Sequence, residues 1–412
     1  MIGAEWIRVQ LPPTWRVARI RDTTEIINGF PFDSKTFSDG IGHPLVRIRD
    51  IFLDDTNVYV DAPEVPDATI DTGDILVGMD GDFNVARWRG GRAQLNQRVC
   101  CIRPHEEIDA RFLSYLLPVP LKLINEFTYS TTVKHLSSFD IQKVHFPCPD
   151  FENQRQIADF LDVATGEIDA LIEAKEKLLG LLAEKRRTLV AEAVMRGLDR
   201  SAPLRPSGID WLGDIPAHWE VERSRWLFSE RDERSETGEE EMLTVSHITG
   251  VTPRSEKDVN MFEAETTAGY KLCFTGDLVI NTLWAWMGAM GTAPVDGIVS
   301  PAYNVYTPGQ RLLPAYVDSL VRIPVFAQEV TRYSKGVWSS RLRLYPEGFF
   351  ETFWPVPPLD EQEQIVAHIA EERVKIDKLA TATERSIGLL KERRSALIAA
   401  AVTGQIEIPE AA

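Results

Sequence analysis

This chain is written twice, and nothing else in it constrains the fold as strongly. PVPPLDEQEQI at Pro355–Ile365 repeats PCPDFENQRQI at Pro147–Ile157, 208 positions earlier. LPPTWRVARI (Leu11–Ile20) matches IPAHWEVERS (Ile215–Ser224), and TGDILV (Thr72–Val77) matches TGDLVI (Thr275–Ile280). EIDALI matches KIDKLA, and GLLAEKRRTLVAEAV (Gly180–Val194) matches GLLKERRSALIAAAV. The offset stays near about 204 to 208, which describes two equivalent halves and not a short-period solenoid. Each half runs through about 140 mixed residues and then about 45 helical ones.

The helical parts are predicted from their period. Ile157, Leu161, Ala164, Ile168, Leu171, Leu178, Leu182 and Leu189 follow alternating four and three spacing, with Lys175 and Lys185 on the remaining steps. The second copy places Ile365, Ile369, Ile376, Leu379, Leu390 and Leu397 likewise, with Glu372, Thr383, Ser386 and Arg393 as polar interruptions. An apolar seam held this long marks helices packed along their length. Prolines before each helix and acids in its first turn suit a helix start and its dipole. At about 1.5 Å per residue, 45 residues make a rod of roughly 65 Å, which needs a partner, and the other copy is the obvious one. The segments 11–146 and 215–354 are rich in Gly, Pro, Val, Ile and aromatics with short strand-like runs, and read as compact α+β domains. GLDRSAPLRPSGIDWLGDIP, between the first helix and the second half, reads as a linker.

A length of 412 residues exceeds one core. The longest apolar run, from Leu278, is too short to span a bilayer and no signal pattern opens the chain, so a cytoplasmic protein with no membrane partner is expected. Four cysteines without regular spacing are expected to be small buried side chains, reduced as in a cytosol. The net charge of −17 opposes phosphate binding as a whole, but five arginines and no acid occupy Phe83–Arg103, and six basic residues face two acids in Arg311–Tyr345.

Motifs for catalysis are missing. There is no Walker A pattern, no HExxH or other metal spacing among the seven histidines, no G-x-S-x-G elbow and no Cys/His pair. SPAY at Ser300–Tyr303 lacks the first acid or amide and the second proline of an amino-methyltransferase tetrad. GMDGD at Gly78–Asp82 reads as a turn. No catalytic or metal-binding residue is therefore assigned, and binding is favoured over catalysis.

The duplicated P-x-P-x-x-x-(E/N)-Q-x-Q-I opening, the IDxLI-like core and the LLxEKRRxLVxxAV ending resemble the specificity subunit of type I restriction-modification systems. So do SGIDWLGDIPAHWEV, MLTVSHITGVTPRSEKDV, GDLVINTLWAWMGAMG and DGIVSPAYNVY, and GMDGDFNVARWRGGRAQLNQRVCCIRP resembles one version of that family's first variable domain. The likeness covers Leu11 to Ile406, departing at Asn153 where the second copy has Glu361. It implies an α+β protein of two target recognition domains (1–146 and 215–354) joined by two long spacer helices (147–196 and 355–406), with a linker at 197–214 and a tail at 407–412. The helices would form an antiparallel coiled coil with pseudo-two-fold duplication. It further implies a non-catalytic subunit that reads a bipartite, asymmetric site in double-stranded DNA. Two modification subunits using S-adenosylmethionine would dock on it, with restriction subunits using ATP and Mg, and no cofactor in this chain. A catalytic methyltransferase or nuclease, and a coiled-coil scaffold that never touches DNA, are the alternatives.

Residues for DNA follow from local chemistry, which calls for Lys or Arg with small polar partners. TYSTTVKHLS and RYSKGVWSSRLRL occupy equivalent places just before the helices, where the family often has a polar loop facing DNA. They supply Thr131, Thr132, Lys134 and His135 in the first half, and Lys335, Trp338, Ser339, Ser340 and Arg341 in the second. Arg87, Arg89, Arg92 and Arg254 complete the candidates.

Overall fold

A computed structural model describes residues 6–7, 11–127, 134–256, 266–336 and 342–408. Two long helices dominate it, Phe151–Arg196 and Leu359–Val402. Prolines at 147, 149, 355, 357 and 358 hold the chain extended before each start. Asp150 caps the first helix, accepting the Asn153 N–H at 2.9 Å. Each helix stops at a glycine in the left-handed region, Gly197 (φ +72°) and Gly404 (φ +69°). Each of these glycines lies against a tryptophan of the duplicated TW/HW pair, Gly197 against Trp219 and Gly404 against Trp15.

The chain divides into two compact units that do not follow the sequence repeat. One comprises Met1–Glu176 with Arg385–Ala412, the other Lys177–Glu384. In the first, the core of the globular part takes in Ile157, Ala158 and Leu161 from the start of one helix and Ala401 and Val402 from the end of the other. In the second, Ile365 and Ile369 join Ala193 and Val194 in the same way. The two helices run antiparallel within each unit: Asp169 accepts both guanidinium bonds of Arg394 (2.8 and 3.0 Å) and Glu176 faces Lys391 in the first, and Arg186 faces Asp377 in the second.

Both globular parts share one plan. A four-stranded antiparallel sheet runs Thr24–Asn28, Val99–Pro104, Ile75–Gly78, Val85–Arg87 in the first unit. In the second it runs Phe228–Arg231, Tyr303–Pro308, Leu278–Asn281, Met290–Thr292. The strand entering each head pairs with the strand leaving it, Arg16 opposite Cys148 and Glu220 opposite Val356, so each head closes where its helix begins. The heads differ beside this sheet. The first carries a five-stranded sheet with a parallel pairing of Leu45 to Gln94, whereas the second has two separate two-stranded ribbons. The α+β reading with two heads, long helices and internal duplication is borne out.

Two expectations are corrected. Leu171 and Leu379, placed on the seam by strict four-three spacing, are exposed, and the buried positions are Ile172, Thr383 and Ile387. Leu161, Ile168, Leu182, Ile376 and Thr383 stay buried as expected, while the sites between them fall one residue later (Thr165, Ile172, Ile387), so the four- and three-residue steps alternate in the opposite order. The hydroxyl of Thr383 is satisfied by the Leu379 carbonyl at 2.8 Å, which lets it stay on the seam. The stretch expected as a linker is built structure: Leu204–Pro206 pairs with Asp214–Pro216, and Leu212 and Ile215 enter the second unit's core. All four cysteines are buried, and burial pushes the Cys100 and Cys273 thiols up to about 12, as suits packing residues.

Candidate nucleic-acid interface

The duplicated junction motif first has to be separated from the recognition surface. Its shared glutamine is a fastener. Gln154 accepts the Asp109 N–H (2.9 Å) and donates to the carbonyls of Pro149 (2.9 Å) and Glu107 (3.2 Å). Gln362 accepts the Leu313 N–H (2.8 Å) and donates to Pro357 (2.9 Å) and Arg311 (2.8 Å). Both are buried with every amide group satisfied. At the neighbouring departure, Glu361 accepts from Trp219 Nε1 at 2.8 Å, while Asn153 instead bonds Asp150. Through this glutamine the motif ties each head to its helix.

The segments before the helices converge on one equivalent place, the end of the strand beside the sheet's centre. In the first unit Leu136 donates its N–H to Met79, one residue past Ile75–Gly78, at 2.7 Å. In the second, Leu344 donates to Thr282, one residue past Leu278–Asn281, at 3.2 Å. Lys335 and Arg343 then exchange backbone bonds of 2.9 and 3.0 Å. Thr131, Thr132, Trp338, Ser339, Ser340 and Arg341 lie outside the described residues.

The cations at these places differ in freedom. Lys134 is half-buried and its ammonium bonds the carbonyl and the side-chain oxygen of Asn125 at 2.6 and 3.0 Å. Asn125 in turn donates to the Gly81 carbonyl. Lys134 therefore braces the turn, with two of its three donors held by Asn125. His135 is exposed with Nδ1 2.8 Å from Asp80, which also pairs with Arg98 at 3.0 Å. In the second unit Lys335 is exposed, and neither it nor Arg343 makes an ion pair among the described residues.

The arginine-rich run of the first head loses most of its apparent charge in three dimensions. Arg89 pairs with Asp54 (3.5 Å), Arg92 with Glu64 (2.9 Å), Arg98 with Asp80, and Arg103 with Asp74 (2.5 Å). Arg87 alone of the five makes no ion pair among the described residues. It sits opposite Ile75, at the other end of the strand from Met79, roughly 13 Å away at 3.3 Å per residue. There it lines a cleft of about 760 Å³ with Arg89, Phe52, Leu53 and Lys122. Arg87, Arg89 and Arg92 are thus not brought together with Lys134 and His135. Arg254 is half-buried in a short turn, its N–H bonded to the Met242 carbonyl at 2.7 Å. Sequence reasoning missed Arg343 as a free cation, and missed the acids that neutralise the first run, because they lie up to dozens of positions away.

Comparison with known proteins meets this geometry. The type I restriction modification DNA specificity domain matches residues 12–179, the first head and the first part of its helix. The specificity subunit of the EcoBI type I restriction enzyme of Escherichia coli is 27% identical over 425 aligned residues, covering 95% of this chain and 86% of that one. Both findings liken this chain to the specificity subunits of type I restriction-modification systems. A second specificity subunit, MjaVIII of Methanocaldococcus jannaschii, is 24% identical across 52% of this chain and 49% of its own. The crystal structure of the HsdS subunit from Thermoanaerobacter tengcongensis shares the fold with a TM-score of 0.54 at 18% identity over 97% of this chain and 99% of that one. A chain from work on complex assembly and conformational transition of the type I R-M system reaches 0.71 at 17% identity, covering 97% and 100%. No helix among the described residues is long and apolar enough to cross a membrane.

Proposed function

We propose that this chain is the non-catalytic DNA-reading subunit of a type I restriction-modification complex, each head reading one half of a bipartite, asymmetric site in double-stranded DNA. The observation that carries this is the equivalence of the two heads: each returns its pre-helix segment to the same strand end, at Met79 and Thr282. Two copies of one presentation suit two half-sites, and the difference between their flanking sheets suits half-sites of different sequence. In the second head Lys335 and Arg343, which make no ion pair among the described residues, supply the phosphate or guanine contacts that anchor such a surface. Two modification subunits would bring S-adenosylmethionine, and restriction subunits ATP and Mg; this chain would hold none of them and act in the cytoplasm. Mapping methylated adenines in cells carrying the complex tests the reading. A split asymmetric motif that disappears when this chain is deleted is expected, and methylation by the purified chain alone would overturn the non-catalytic assignment.

A further inference from the structure

Beside Lys335 and Arg343 the second head exposes an apolar turn that the proposed function does not use. Leu283 is 39% exposed, Trp284 50% and Met287 37%, three large apolar side chains within five residues. Isolated exposed apolar residues are ordinary, but a cluster at one tip marks a contact surface. The turn is rigid. Asn281 and Ala289 close it by a 3.0 Å backbone bond, Met287 and Ala289 bond the Trp284 carbonyl, and Asn281 Oδ1 accepts the Leu283 N–H at 3.2 Å. Gly288 supplies the left-handed residue (φ +87°) that reverses the chain. Ala285 is fully buried, so the short helix Ala285–Met287 is pinned beneath while its neighbours stand out. Trp286 is tied back, Nε1 donating to the Leu283 carbonyl at 3.1 Å, whereas Trp284 is the more exposed ring.

The surroundings say what kind of partner fits. Leu283 and Arg343 line the same small cavity, about 220 Å³, and Thr282 accepts the N–H that docks Leu344 and so the Lys335–Arg343 pair. An apolar point beside cations that make no ion pair among the described residues matches duplex DNA, where cations hold phosphates while an apolar wedge enters between base steps. A protein partner on this acidic chain (net charge −17) would more often bring its own cations to the acids. Resting on the DNA-reading function proposed above, we infer that Leu283 and Trp284 form a wedge that enters the DNA of the second half-site and unstacks a base step. The wedge selects sequence through the ease of deforming that step, which needs no hydrogen bond to a base.

The test uses the full chain, assembled with modification subunits where binding requires them, and the duplex it selects from a random-sequence library. Trp284→Ala should weaken binding about tenfold or more with the salt slope unchanged, because a stacking contact is lost and no phosphate contact. Trp284→Phe should retain most of the affinity, and the emission that distinguishes it from the parent should be quenched by DNA. Adenine analogue fluorescence in the selected duplex should rise with the parent and not with Leu283→Ala/Trp284→Ala. If Trp284→Ala binds like the parent while Lys335→Ala weakens binding, the wedge is overturned and the DNA-reading function stands. If no duplex is selected at all, the function itself fails. If Trp284→Ala keeps DNA affinity but loses the modification subunits, the turn is a protein-docking face and the wedge is overturned. Should Trp284→Ala not fold, the parent-minus-Phe emission decides: a spectrum untouched by DNA overturns the wedge.

Discussion

Replacing Gln362 by alanine removes the three bonds that fasten the second head to the start of its helix. Leu313 loses an acceptor at 2.8 Å, and the carbonyls of Arg311 and Pro357 lose donors at 2.8 and 2.9 Å. Gln362 is fully buried, so these groups do not simply return to water. A net bond is worth about 1 kcal/mol, and a buried group left unpaired costs about 1–3 kcal/mol. Three such groups, allowing for one that finds a water, cost about 3–5 kcal/mol in total, a large part of a typical stability of about 5–15 kcal/mol. Gln362→Glu separates the partners. It keeps the acceptor for Leu313 but sets a carboxylate against two carbonyls, so its neutral form is favoured and its pKa is raised in the folded state. A raised pKa means the variant holds its stability below the ordinary glutamate range and loses it as pH rises through the folded value. Urea unfolding followed by tryptophan fluorescence reads the loss, and hydrogen exchange at the Leu313 amide localises it. Gln154→Ala should expose the Asp109 amide instead, leaving Leu313 protected. A Gln362→Ala variant within about 1 kcal/mol of the parent, with Leu313 still protected, would refute the role assigned to the duplicated glutamine.

Other outcomes follow from single contacts. Glu329 is 2% exposed and burial raises its pKa, so the second unit should lose stability as pH rises through that value; Glu329→Gln keeps an acceptor for Phe353 N–H (3.1 Å) and should flatten the dependence between urea midpoints at pH 5 and pH 8. Gly404→Ala should lower the melting temperature, since a Cβ there meets Pro12 Cδ at 2.8 Å on a left-handed backbone worth about 1–2 kcal/mol; Gly388→Ala, mid-helix with nothing within 4 Å, should raise it. Lys335→Ala should weaken DNA binding across sequences and lower the salt slope by about one, whereas Lys134→Ala should shift the urea midpoint and leave that slope alone.

The sequence alone determined what is local and what is repeated. The helices announce themselves through period, proline starts and acidic first turns, and the duplication makes one half a check on the other: Gln154 and Gln362 sit in matching strings because they make matching bonds. The likeness to specificity subunits was legible for the same reason, since it rests on contiguous motifs. Tertiary structure decided everything that depends on partners far along the chain. Arg89, Arg92, Arg98 and Arg103 read as a basic patch until Asp54, Glu64, Asp80 and Asp74 arrive beside them. That Lys134 braces a turn through Asn125 could not be read from its neighbours in sequence. The seam read as Leu171 and Ser386 until packing against the partner helix buried Ile172 and Ile387 instead. Even the compact units cut across the repeat, because an antiparallel pair brings the end of one helix to the start of the other. Backbone preference and periodicity act over a few residues and can be read along a string, whereas charge neutralisation and burial act through space between residues the string keeps apart.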